Sequence, residues 1–218
     1  MIVVHHLERS RSERILWLLE ELGLPYEIKR YKRNSKTMLA PPELTKVHPL
    51  GKAPVVVDDD GTVLIESGSI IETLLDRHGA NRLRPALGTP EHVAYTTFVH
   101  FAEGSMMPPL LLRLIFGSMN RRAPALMRPL VRAVTKPVEA LYVEPNIRRT
   151  LDFLEGELKQ RPWFAGSAFT AADIQMSFPI GAAHQRGGLD RRWPKLMDWL
   201  ARIQARPARK AAMEKIGE

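Results

Sequence analysis

Ser10-Arg11-Ser12-Glu13-Arg14-Ile15-Leu16-Trp17-Leu18-Leu19-Glu20-Glu21-Leu22-Gly23-Leu24-Pro25-Tyr26-Glu27 follows closely on a short apolar strand, Ile2-Val3-Val4. Ile15, Leu18, Leu19 and Leu22 recur at the spacing that buries one face of an α-helix. Ser10 and Glu13 stand at Ser-x-x-Glu spacing, which predicts a capping box and a helix start near Ser10. A hydroxyl at that mouth sits where free backbone N–H groups and the helix dipole favour negative charge. Such a place can hold an anion, a thiolate among them.

Working outward, residues 1 to 80 read as a small α/β domain. Ile2 to His6 is a strand, and Tyr26 to Tyr31 alternates like a second one. Pro54 to Asp58 and Val63 to Ile65 flank an Asp-Asp-Asp-Gly turn, a hairpin signal. Ser67 opens a helix with Ile70, Ile71, Leu74 and Leu75 on one face, stopped by Gly79. Residues 81–90, with Pro85, Gly88 and Pro90, read as a linker. From 91 to 218 only helical patterns follow. They are Glu91 to Gly117, which Pro108-Pro109 must bend or end, then Pro137 to Gln160, Ala171 to His184 and Arg192 to Ala205. The expected architecture is α/β plus all-α.

Composition narrows the chemistry. The chain has 218 residues, 44% of them hydrophobic, and no cysteine. Disulfides, thiolate metal sites and a protein-borne thiol nucleophile are therefore excluded. The seven histidines are scattered. His5 and His6 are adjacent on a strand and so face opposite ways, which argues against joint ligation, and no metal is expected. No signal peptide or bilayer-length apolar run is read, so a cytoplasmic location is expected and no membrane partner. The charge of +8 suits anionic small molecules, nucleic acid or a membrane surface. Its sharpest cluster, Arg121-Arg122, Arg128, Arg132 and Lys136, lacks interleaved aromatics and reads as a solvated connection. No nucleic-acid partner is expected.

His48-Pro49-Leu50-Gly51-Lys52-Ala53-Pro54, followed by Glu66-Ser67, resembles the glutathione-site signature of cytosolic glutathione S-transferases. Ser10 to Glu27 resembles the first helix of that family, and Phe164 to Asp173 its C-terminal capping motif. The resemblance spans nearly the whole chain, with the flavour of the serine-type fungal and bacterial branch. It implies a thioredoxin-like first domain, a helical bundle after it, a homodimer, and glutathione as co-substrate. Pro54 would be cis, with the Ala53 backbone pairing the cysteinyl unit like an added strand. Ser67 would meet the γ-glutamyl carboxylate and Glu66 the α-amino group. Lys52, with Lys36 and His48 as alternatives, would meet the glycyl carboxylate. Each also has a plainer reading, as cap, dipole neighbour or solvated cation.

Ser10 is the expected catalytic residue, its O–H donating to the glutathione sulfur so that the thiolate is favoured. Ser12, two residues on, is the rival. The implied reaction adds glutathione to an apolar electrophile, and the same thiolate serves a peroxidase activity. Tyr95, Phe98, Met106, Met107 and Leu110 on the long helix are candidates for the electrophile site, against a reading as plain core. Thr170-Ala171-Ala172-Asp173 reads as a capping box with a folding role. A non-catalytic binding module and a carrier of apolar ligands are the alternatives.

Overall fold

The computed structural model describes residues 1–217. The chain divides into two compact units: Met1–His92 joined by the chain from Ile203 on, and Val93–Arg202.

In the first unit β1 (Ile2–Leu7), α1 (Ser12–Leu22), β2 (Tyr26–Tyr31), the short α2 (Glu43–Val47), β3 (Val55–Val57), β4 (Val63–Ile65) and α3 (Ser67–His78) succeed one another. This is the thioredoxin-like βαβαββα order. The sheet runs β2-β1-β3-β4. β1 and β2 are parallel, as a helical crossover demands, and β3 is antiparallel to both β1 and β4. Val4, Val55 and Val56 are buried in the sheet, while Ile15, Leu16, Leu18 and Leu19 of α1 and Ile70, Ile71 and Leu74 of α3 are buried on the helices. The helix α1 ends at Gly23, whose φ of 68° is left-handed, with Leu24 N–H donating to the Leu19 carbonyl at 3.0 Å.

The helix α1 is buried on more than the one stripe its heptad-like spacing implies, with Trp17 also inside. The reason is a last helix, α10 (Pro207–Ile216), which packs on it. Arg206 forks onto the Glu21 carboxylate at 2.6 and 2.8 Å, and Lys215 reaches Glu20 at 2.5 Å. Residues 91–218 thus divide between the units, because these partners lie far apart along the chain.

Within the second unit the helices are α4 (Pro90–Phe101, begun in the first unit), α5 (Met107–Arg122), α6 (Arg128–Val138), α7 (Glu144–Gln160), α8 (Ala171–Ala182) and α9 (Pro194–Ala205, which leads out of it). Wider π turns at Ala102–Met106 and Glu139–Val143 precede Pro108 and Pro145. Proline has no N–H for the regular ladder, and the wider turn carries the helix past it rather than ending it. Phe98, Phe101, Phe153 and Phe164 form an aromatic cluster, extended by Trp199 against Phe164 at 5.0 Å. Beside it the buried Asp173 carboxylate accepts from Phe164 N–H (3.1 Å), Thr170 N–H (3.0 Å) and Trp199 Nε1–H (2.9 Å). The expected capping box is formed here. Burial pushes the Asp173 carboxyl up to about 6, against the pull of these donors.

Candidate active site

Strand register assembles the site. His5 pairs with Val55, and Val55 with Ile65. The end of β1, the start of β3 and the end of β4 therefore lie at one end of the sheet. Residues just outside that register, His6 on β1, Ala53-Pro54 before β3 and Glu66-Ser67 after β4, are brought to one edge. The peptide bond between Ala53 and Pro54 is cis, as the resemblance implies.

From β1 the chain turns at Arg9, whose φ of 50° is left-handed, and enters α1. Arg33 fixes this turn: its backbone N–H donates to the Glu8 carboxylate and its Nε–H to the Glu8 carbonyl, both at 3.0 Å. The helix then begins at Ser12, preceded by Arg11, with no side-chain bond capping it there. The Ser10–Glu13 capping box is not formed. The Ser10 Oγ accepts instead from the backbone N–H of Ser12 at 3.3 Å and lies 2.7 Å from the Ser12 Oγ. Ser12 Oγ is in turn 2.8 Å from Nδ1 of His6. All three side chains are buried.

The second helix start is joined to the first. Buried Arg14, in the first turn of α1, donates from Nη1 to the Ser67 Oγ at 3.4 Å, across from the start of α3. Ser67 is buried, whereas the residue before it, Glu66, is exposed and holds a left-handed φ of 62°. A left-handed φ at a residue with a side chain is strained, and such strain concentrates at binding sites. Lys52 and Lys36 are exposed and His48 half-buried. Two helix N-termini, three buried hydroxyls and a flanking carboxylate can together receive a ligand carrying an anionic end, an ammonium and a polar reacting atom.

Tyr95, Phe98, Met106, Met107 and Leu110 are all buried, Phe98 inside the aromatic cluster. As placed, each has a packing role. The two adjacent histidines diverge as alternation requires: His5 Nδ1 meets the Tyr31 hydroxyl at 2.8 Å, and burial holds its pKa below the usual value. Asp58, Asp59 and His78 bring ligand-type atoms within 4.8 Å of one another. Asp58 is already bridged there by Arg77 at 2.8 Å and His78 at 3.1 Å, tying the hairpin to the end of α3. Among the described residues no helix is long and apolar enough to cross a membrane.

Sequence reasoning missed His6 and Arg14 as members of this site. Strand alternation was the available signal for His6, since it turns the residue after His5 toward the opposite face. Arg14 carries no such signal, as helical spacing alone leaves its partner open.

Comparison with known proteins gives the family. Residues 10–77 match the model described as glutathione S-transferase, N-terminal domain, and residues 118–207 the one described as glutathione S-transferase, C-terminal domain. The chain is 38% identical over 216 residues to glutathione S-transferase 3 of Schizosaccharomyces pombe, covering 99% of this chain and 88% of that one. A glutathione S-transferase structure from Actinobacillus pleuropneumoniae is 32% identical at a TM-score of 0.79, covering 99% and 92%. A sphingomonad glutathione S-transferase complexed with glutathione shares the fold at a TM-score of 0.75 and 23% identity, covering 99% and 98%.

Proposed function

The chain belongs to the glutathione S-transferase family, and on that premise we propose that it binds glutathione at this sheet end and activates its thiol for attack on an apolar electrophile. The observation that carries the reading is the convergence of the α1 and α3 starts, joined through Arg14 and Ser67, beside Ala53-Pro54. The glutathione bound in the sphingomonad relative supports the choice of ligand.

In this reading Ser67 and the first-turn N–H groups of α3 receive the γ-glutamyl carboxylate, and Glu66 takes the α-amino group. The backbone of Ala53, just before Pro54, pairs with the cysteinyl unit, and Lys52 meets the glycyl carboxylate. The Ser10 O–H donates to the sulfur and lowers the thiol pKa, so that the proton is lost to water near neutrality. A sulfur lone pair then forms the C–S bond. The leaving group departs with its bonding pair or, in an addition, the carbon takes a proton from water. Serine keeps its own proton throughout.

The same thiolate supports peroxidase chemistry. Sulfur attacks one peroxide oxygen, the alkoxide leaves and is protonated to an alcohol, and a second glutathione releases water and the disulfide. Met106 and Met107 are the preferred electrophile contacts, because thioethers repack around varied apolar shapes. A homodimer fits the apolar side chains exposed on α5 and α6, among them Leu111, Ile115, Leu130 and Val134.

A pH titration of the thiolate ultraviolet absorbance of bound glutathione tests the central claim. Ionisation well below the free-thiol value of about 8.5, lost in Ser10→Ala, is the expected result. Binding with an unshifted pKa would point to a carrier, and absence of binding would sink the reading.

A further inference from the structure

Ser10 and Ser12 compete on sequence for one role, yet the fold places them in series behind His6. We infer that His6 and Ser12 are positioning residues that fix the direction in which the Ser10 hydroxyl aims its proton. The inference rests on the thiolate reading above and says how that site obtains the polarity it needs.

Counting donors and acceptors carries the argument. A hydroxyl has one proton to give and two lone pairs to fill. One lone pair of Ser10 Oγ is taken by the backbone N–H of Ser12 at 3.3 Å. The contact between the two hydroxyls, at 2.7 Å, can run either way. If Ser12 donates, both lone pairs of Ser10 are filled and its own proton is available only to a third group, the sulfur. If Ser10 donates to Ser12, it can only accept from the sulfur, which favours the neutral thiol. The choice is made one step back, at the 2.8 Å contact between Ser12 Oγ and His6 Nδ1. With a proton on Nδ1, the imidazole donates to Ser12, Ser12 to Ser10, and Ser10 outward. With Nδ1 bare, the chain reverses.

Burial makes this choice binding. Ser12 has no exposed surface and His6 is 3% exposed, so water is a poor substitute partner at either link. Low polarity also strengthens each bond and lets one polarise the next. The rivals thus become partners: Ser10 touches the sulfur, while Ser12 and His6 act only through it.

The test measures the thiol pKa of bound glutathione together with its affinity well below that pKa, where the sulfur is still a thiol. His6→Leu is expected to raise the pKa by about one unit, a tenfold weaker hold on the thiolate, with low-pH affinity within twofold of wild type. Ser12→Ala, in contrast, removes the rival acceptor for the Ser10 proton and is expected to keep the lowered pKa. His6→Asn, whose amide N–H can stand near the Nδ1 position, is expected to restore the wild-type value. An unshifted pKa in folded His6→Leu overturns the relay, as does a raised pKa in folded Ser12→Ala, or a loss of low-pH affinity in His6→Leu equal to its loss at high pH, which marks a merely structural role. A wild type that fails to lower the thiol pKa overturns the thiolate reading itself, a separate result. For variants that do not fold, nitrogen-15 NMR of the wild-type complex decides. A protonated, pyrrole-type Nδ1 on His6 supports the relay, and a bare, pyridine-type Nδ1 overturns it.

Discussion

Thr170-x-x-Asp173 at the start of α8 and Ser10-x-x-Glu13 at the start of α1 have the same hydroxyl-to-carboxylate spacing, and only the first closes into a reciprocal cap. At α8 the residue before the helix is extended, with φ of −136°, so the threonine hydroxyl reaches back over the first turn. At α1 the residue in that place, Arg11, is already helical at φ of −62°, and Ser10 is carried one step further out. Its hydroxyl turns to Ser12 instead. One hydroxyl is committed to holding a helix start, and the other is held by that start, which leaves it for the chemistry proposed above.

The contrast is broken most forcefully at Asp173. Replacing it with alanine leaves the Phe164, Thr170 and Trp199 donors buried without their acceptor. We expect a loss of about 3–5 kcal/mol, read as a lowered urea midpoint, while glutathione on the folded fraction keeps its wild-type thiol pKa. A catalytic loss without a stability loss would reverse the assignment.

Ser10→Ala is the mirror experiment. Removing a donor aimed at developing negative charge costs about 10² in rate, so kcat/KM at neutral pH should fall by about that factor. Thermal unfolding should move little.

The pH dependence of stability sharpens the comparison from the other side. Burial raises the Asp173 pKa to about 6 in the folded protein, against about 4 in an unfolded chain. The folded state therefore holds a proton that the unfolded state has released between those values. This contribution is fully present below about pH 4 and is lost as pH rises to about 6, by on the order of 2–3 kcal/mol. The stability advantage of wild type over Asp173→Asn, followed by urea unfolding, should narrow over that interval. A gap that stays constant with pH would refute the raised pKa.

The smallest effect compares the two hydroxyls directly. Thr170→Ala removes a working cap and should cost about 1 kcal/mol. Ser10→Ala removes none and should cost less than that in the same unfolding assay, and an equal or larger cost would mean that Ser10 does hold the helix.

Much of this was legible in the sequence, because periodicity is a local property. Alternation in Tyr26 to Tyr31, the turn between Val57 and Val63 and the apolar spacing in α1 and α3 each depend on neighbours a few residues away. The motif from His48 to Pro54 and the Thr170–Asp173 box were readable for the same reason. The last helix was not. Its ties to Glu20 and Glu21 bridge most of the chain, and a run such as Pro207 to Ile216 offers only weak amphipathic signal for a partner.

By itself, then, the sequence determined the order of the strands and main helices from β1 to α3, the pair of serines at the mouth of α1 and the family resemblance, which in turn implied the cis proline. Only the tertiary structure decided how those serines are bonded to each other and to His6. The left-handed turn at Arg9, pinned by Arg33, sets the path on which Ser10 arrives. The pleat of β1 then brings His6 to within 2.8 Å of Ser12. Hydrogen-bond direction depends on which groups meet in a buried space, and spacing along a chain does not specify that.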